Sequence, residues 1–324
     1  MPRLPRPAGV AVAAVSLSVL ASAPAASGEP LMSAPQVVAH FDLAAGQTPE
    51  NIVLEDDGSA DLTFSDARQV ANVTQQGRIR VLATLPAEAR PDTPVVHDAL
   101  VLGIARAHDG TLYVTYATGR GGTGVWRIDR DGTAPRQIAR LPANGLPNGL
   151  ALDERRGVLY AADSVLGTVW RVPQAGGRPT AWATGSALRP VPARGDGFGA
   201  NGVKVHRGAV WVSNSGRGTL LRIPVLSDGS AQKVETRATG LQGIDDFAFP
   251  GPGSTVFAAL SEAERVALVR PDGTHTDVLA LRDGLSNPTS VAVRGRTVYV
   301  PGAAHSTRKD PNLLVARLSR HFSR

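Results

Sequence analysis

The chain has no cysteine in its 324 residues. Disulfides, thiolate metal centres and cysteine nucleophiles are therefore excluded, and packing alone must hold the fold. Aromatic residues are scarce, at 5%. Lysine is scarcer, occurring only at Lys204, Lys233 and Lys309, so the basic charge is almost all arginine. These arginines are spread along the chain and not interleaved with aromatics. The formal net charge of +6 therefore describes a solvated surface, not a nucleic-acid footprint. No pattern of a long amphipathic helix appears. Beyond the first 28 residues no apolar run is long enough to cross a membrane. Abundant Ala, Arg, Gly and Pro beside so little Lys matches the coding bias of a GC-rich bacterial genome.

Residues 1–28 read as a secretory signal peptide. Arg3 and Arg6 make a basic start, residues 8–19 are mostly apolar, and the small residues from Ala21 to Gly28 suit a cleavage site near 26–28. There is no twin arginine and no cysteine for a lipid anchor. The expected product is a secreted, soluble, monomeric domain spanning residues 29–324.

What fills that span is a repeat. A polar residue opens a short apolar strand, a tight turn follows, and a second strand of the Leu-Tyr-Val-Ala type comes next. The clearest copies are Asn148-Gly-Leu-Ala-Leu with Leu159-Tyr-Ala-Ala-Asp163, and Asn201-Gly-Val-Lys-Val with Val210-Trp-Val-Ser-Asn214. Aligned on these, the copies begin at Glu50, Leu102, Asn148, Asn201, Asp245 and Thr289, at intervals of 52, 46, 53, 44 and 44 residues. Such a period belongs to solenoids, propellers or arrays. Each copy decodes as four short antiparallel strands, which is a propeller blade. Six copies predict an all-β, six-bladed propeller; a seven-bladed ring and an open array are the rivals. Residues 36–41 would add the outer strand of the last blade, with residues 312–318 as its third, so that no sheet edge stays bare.

In a propeller the six opening residues ring one mouth of the central channel. Glu50, Asn148, Asn201 and Asp245 would then converge, offering two carboxylate and two amide oxygens. Such a hard-oxygen set suits Ca²⁺, with Mg²⁺, Mn²⁺ and Zn²⁺ as alternatives. Taken singly, Asn-Gly before a strand also reads as turn chemistry, Glu50 as a solvated loop acid, and Asp245-Asp246 as a capped turn. Either Asp245 or Asp246 could face the channel; the register of Phe247-Ala-Phe249 favours Asp245.

Leu146-Pro-Asn-Gly-Leu-Ala-Leu-Asp153, Tyr160-Ala-Ala-Asp-Ser164 and Gly199-Ala-Asn-Gly-Val203 resemble the senescence-marker-protein/gluconolactonase (regucalcin-like) family. That family is related to calcium-dependent lactonases, the squid-type phosphotriesterase and paraoxonases. The resemblance spans roughly residues 35–318. It implies a channel cation held by Glu50, Asn148, Asn201 and Asp245, and hydrolysis of a lactone or similar small molecule. Asp245 would be the catalytic base. The chain departs from the family pattern where Asp245 is followed by Asp246 and not Gly, and where the first blade reads Glu50-Asn51-Ile52.

Other residues are assigned by position. Tyr116, Arg120 and Arg217, from mouth loops, are candidate substrate contacts. His97 and His305 are candidate proton shuttles at the mouth. Asp163 and Asn214 either support the ligands or satisfy turn backbone. Trp126 and Trp170 read as packing between blades. His108, His206 and His275 fall toward the other face. Ser164, Ser213 and Ser215 sit in no nucleophile elbow, and Gly119–Gly124 joins strands without opening a helix, so it is not a phosphate cradle. Two other functions stay open: a binding propeller with a purely structural cation, and a metal-free carbon–carbon bond former of the strictosidine-synthase type. The two aligned asparagines argue against the second.

Overall fold

The computed structural model describes residues 31–191, 197–320 and 322; the expected signal peptide lies outside them. Six four-stranded antiparallel sheets form a six-bladed propeller. Blade 1 opens with the inner strand Pro49–Leu54, blade 2 with Leu100–Arg106, blade 3 with Pro147–Asp153, blade 4 with Ala200–His206 and blade 5 with Ile244–Ala248. Blade 6 has the short inner strand Ala292–Arg294, then Thr297–Gly302 and Asn312–Leu318. Met32–His40 pairs antiparallel with Asn312–Leu318 and closes the ring. Only two short 3₁₀ turns interrupt the described strands, at Glu154–Arg156 and Leu281–Asp283.

The core is cut into slices. Six apolar clusters coincide with the six faces where neighbouring blades pack. Alternation along the second and third strands produces this: each sheet presents apolar side chains to both neighbours. Trp126 belongs to the slice between blades 1 and 2, and Trp170 packs against the slice between blades 2 and 3. Both serve as the blade packing expected of them.

At the channel the inner strands come too close for ordinary side chains. A Cβ on Gly103 would lie closer than 3.0 Å to the carbonyl oxygen of Asn148, and one on Gly149 equally close to that of Asn201. Neither glycine has positive φ. The glycine of Asn-Gly is therefore there for close approach, not for a turn.

The same segment carries a register shift in each of the first five blades. The shift leaves ladder groups unpaired, and hydroxyls from the second strands replace the lost partners in three blades. Thr115 Oγ1 accepts from Gly103 N (2.7 Å) and donates to Asn148 O of the next blade (2.5 Å). Thr63 accepts from Asn51 N (3.0 Å) and donates to Leu102 O (2.6 Å). Ser213 accepts from Gly202 N (2.7 Å) and donates to Asp245 O. Each hydroxyl thus pins the opening residue of the following blade. Thr115→Val would leave a buried N–H and a buried C=O unsatisfied. We expect a loss of about 2 kcal/mol or more, read as a lower denaturation midpoint, with Thr115→Ser largely restored. An unchanged Thr115→Val midpoint would refute the staple.

At the opposite end of blade 1, Asp61 is buried, and its Oδ1 accepts from Asn72 Nδ2 (2.8 Å). Burial above all, then the neighbouring Glu55, pushes its carboxyl up to about 7, against the opposing Asn72 contact. The folded chain therefore holds a proton that the unfolded chain releases above pH 3.8. This contribution to stability is full at low pH and is lost as pH rises through 7. Asp61→Asn mimics the protonated form. It should raise the midpoint at pH 8 by roughly 2–4 °C and change it little at pH 4; an equal change at both pH values would refute this account.

Candidate metal centre at the channel mouth

Glu50, Asn148, Asn201 and Asp245 all line one cavity of about 340 Å³ at the channel mouth. Each is the second residue of its inner strand, just inside the glycine contacts and hydroxyl staples. Among the described residues no three His, Cys, Asp or Glu side chains group as metal ligands. The cavity instead joins two carboxylates to two amides.

The chemistry of these groups fits a cation. No described Lys or Arg lines the cavity, while Asp66 and Glu262 add acidity at its rim. Asp245 opens partly onto the cavity and is enclosed on its other sides. Burial, then the negative charges of Glu50 and Asp246, push its carboxyl well above the usual carboxylate range, against help from Asn201 and Lys204. Two carboxylates held together away from solvent are relieved by a shared cation.

The amides are equally poised. Asn201 Nδ2 donates to Ser215 Oγ (2.9 Å), whose own proton goes to Ile244 O (2.7 Å). Ser215 can therefore only accept from Asn201, which fixes the amide orientation. Its Oδ1 is left without a hydrogen bond among the described residues. The Asn148 side chain makes no hydrogen bond among them either.

Asp246 does not line the cavity. It is buried deeper in the channel, where its Oδ2 accepts from Lys204 and from Ser290 Oγ (2.8 Å). Alternation along the strand sends the two neighbouring carboxylates to opposite sides. Asp246 has its counterion in Lys204; among the described residues Asp245 has no ion-pair partner.

Of the two mouth histidines, only His305 borders the cavity, with Nε2 3.3 Å from Glu50 Oε2. Burial, its largest single influence, opposes protonation. The hydrogen bond and charge of Glu50, joined by Asp66, outweigh it and raise the imidazole above its ordinary value. Its ring is half-exposed, so solvent weakens these effects. His97 is exposed and sits 3.6 Å from Asp92, outside the cavity.

The three expected substrate contacts are elsewhere. The second strand of blade 2 runs Leu112–Ala117, so Tyr116 is a strand residue and not a loop residue. It faces the slice between blades 1 and 2, stacks edge-on against Trp126, and donates to Pro86 O (2.6 Å). Arg120 Nε donates to Arg90 O (3.1 Å), and Arg217 Nε to Arg189 O (3.2 Å). Both arginines fasten loops outside the cavity. Asp163 and Asn214 also serve backbone: Asp163 Oδ1 accepts from Leu146, Val165 and Leu166 N–H, and Asn214 Oδ1 accepts from Arg217 N.

Two groups of lining residues were not anticipated. One is a serine repeated just after the second strand of four blades: Ser65, Ser164, Ser215 and Ser261. Three of these line the cavity. Ser164 Oγ instead donates to Ala200 O (2.8 Å), beside Asn201. Aligning the ends of the second strands would have found them. The other is an apolar wall, which includes Leu100, Leu102, Leu146 and Phe198.

No protein-family model matches the chain, and no curated protein matches it in sequence. Solved structures match its fold. A gluconolactonase from Xanthomonas campestris aligns with a TM-score of 0.63 at 16% identity, over 91% of this chain and 99% of that one. The PQQ-bound aldose sugar dehydrogenase of Streptomyces coelicolor aligns with a TM-score of 0.61 at 15% identity, over 90% of this chain and 100% of that one. Catalytically inactive virginiamycin B lyase from Staphylococcus aureus aligns with a TM-score of 0.55 at 16% identity, over 88% and 100%. At such identities the likeness establishes the propeller and nothing finer.

Proposed function

We propose that this protein is a secreted hydrolase dependent on a divalent cation, Ca²⁺, that opens a lactone or a related ester. The observation that carries the reading is the donor set: Glu50, Asn148, Asn201 and Asp245 on one cavity that no described Lys or Arg lines. The fold shared with gluconolactonases supports it at the level of architecture.

Glu50, Asn148 and Asn201 would hold the cation, with Asp245 beside them. When bound, the cation supplies Lewis acidity that polarises the substrate carbonyl and favours the developing oxyanion. Asp245 accepts the proton of the attacking water. His305, against Glu50, fixes that carboxylate and borders the path by which a proton leaves. The apolar wall excludes bulk water from the opposite side of the cavity.

The test is elemental analysis of protein purified without chelator, together with a panel of lactones, esters and phosphotriesters assayed with and without EDTA. About one ion per chain and a chelator-sensitive hydrolysis support the proposal. Metal without hydrolysis of any member would make this a binding propeller with a structural cation. No metal, even after Ca²⁺, Mg²⁺, Mn²⁺ or Zn²⁺ is supplied, would refute it.

A further inference from the structure

Among the described residues, six of the seven apolar clusters are accounted for by the six contacts between blades. The seventh is not. It consists of Leu100, Leu102, Ala117 and Leu146, with Val165 and Phe198 packed against it. Three of its leucines and Phe198 line the candidate metal cavity. The cavity is therefore two-sided: oxygen groups come from blades 1, 3, 4 and 5, with the His305 imidazole from blade 6, and the apolar wall comes from blade 2 and the segments leading into blades 3 and 4.

Leu102 is the telling member. It occupies in blade 2 the position that carries Glu50, Asn148, Asn201 and Asp245 in blades 1, 3, 4 and 5. Blade 2 thus places hydrocarbon where four others place oxygen. Val96 extends the wall to the rim, where it stays 40% exposed although apolar. Its neighbour Val95 has φ 72°, a costly conformation for a β-branched residue. A Cβ on Gly197 would lie 2.9 Å from Val95 Cγ2, so the rim segment rests against the chain leading to Phe198.

Such a wall offers nothing to a hydroxyl. Hydroxyl groups pressed against it lose water without gaining a partner. Two of the three serines across the cavity are already engaged: Ser215 donates to Ile244 O, and Ser65 Oγ lies 2.8 Å from Thr48 Oγ1. An alkyl or aryl group placed there is instead removed from water. We infer that the cavity takes lactones or esters bearing an alkyl or aryl substituent and discriminates against polyhydroxylated sugar lactones. This inference rests on the reading of the cavity as a lactone or ester site.

The probes are hydrolysis-resistant δ-lactams, whose binding to the Ca²⁺-loaded protein is measured by calorimetry: δ-valerolactam, its 6-pentyl derivative, and glucono-δ-lactam. The pentyl lactam should bind at least tenfold tighter than the unsubstituted ring, and the sugar lactam no tighter than that ring. Val96→Ser, at an exposed position that carries no folding burden, and Leu102→Asn should each lower the pentyl-to-unsubstituted affinity ratio severalfold. A sugar lactam that binds as tightly as the pentyl compound overturns the inference. So does a pentyl group that brings no gain, a ratio unchanged in both variants, or no binding by any lactam. Hydrolysis of the matching lactones separates the two claims. Apolar preference in binding without turnover of any lactone upholds the cavity's ligand class and sinks the hydrolase; turnover that favours gluconolactone does the reverse.

Discussion

Asp245→Asn is expected to lower kcat/KM by about a thousandfold while leaving the propeller folded. The carboxylate is enclosed and, among the described residues, has no ion-pair partner, since Lys204 is taken by Asp246. Removing its charge removes the proton acceptor and half of the anionic charge among the four candidate ligands. It also removes a repulsion, because Glu50 no longer faces a second buried carboxylate. The metal-free variant should therefore unfold at a higher temperature than the metal-free parent, and the order should reverse when both are given Ca²⁺. Calorimetry with and without the ion reads both halves. A fully active variant would sink the assigned role, and a variant that fails to fold would mean that the Asp245 carboxylate is structural. Asp246→Asn serves as the contrast. It strands Lys204 and should cost stability whether or not metal is present.

The second large effect belongs to the amides. Protein carrying Asn148→Ala and Asn201→Ala together should fall from about one bound ion per chain to none under the same purification. At a hundredfold excess over Kd a resident ion contributes about 2.7 kcal/mol, or about 5 °C in Tm for a chain of this size. The variant should lose that response to Ca²⁺ entirely. Both asparagines are buried, yet among the described residues the Asn148 side chain makes no hydrogen bond and that of Asn201 reaches only Ser215 and the Asp245 carboxylate. The metal-free midpoint should accordingly move little. Retention of a stoichiometric ion would show that the cation sits elsewhere.

The blade count was legible because a repeat announces itself. Leu159-Tyr-Ala-Ala and Val210-Trp-Val-Ser share a period and a register, and the strand from Met32 to His40 was foreseeable from a sheet that otherwise ends bare. The convergence of Glu50, Asn148, Asn201 and Asp245 followed from the ring, since symmetry alone brings equivalent positions together. What escaped was whatever depends on the facing of a single residue. Tyr116 was placed in a loop, but the strand runs one residue past it and turns the ring into a blade interface. Arg120 and Arg217 were read from charge and position, although a long side chain folds back readily onto nearby carbonyls. The glycine after Asn148 also admitted a turn reading, because the sequence does not reveal how near the next inner strand lies. The apolar wall was hidden by its construction: Leu146 and Phe198 lie outside the repeating strands, and Leu102 breaks the pattern it belongs to.

The antiparallel seam between Met32–His40 and Asn312–Leu318 pairs His40 with Asn312 across most of the chain. Five blades are built from consecutive segments and can form locally, but the sixth cannot be completed until these distant stretches meet. Ring closure is thus a late and slow event in assembly. Until it happens, two unpaired strand edges are open to other chains. A polypeptide ending before residue 312 would keep most of its blades and lose its solubility. The same seam protects the C-terminal end of the finished ring, since Asn312–Leu318 lies between two strands of its sheet and cannot fray until Met32–His40 is peeled away.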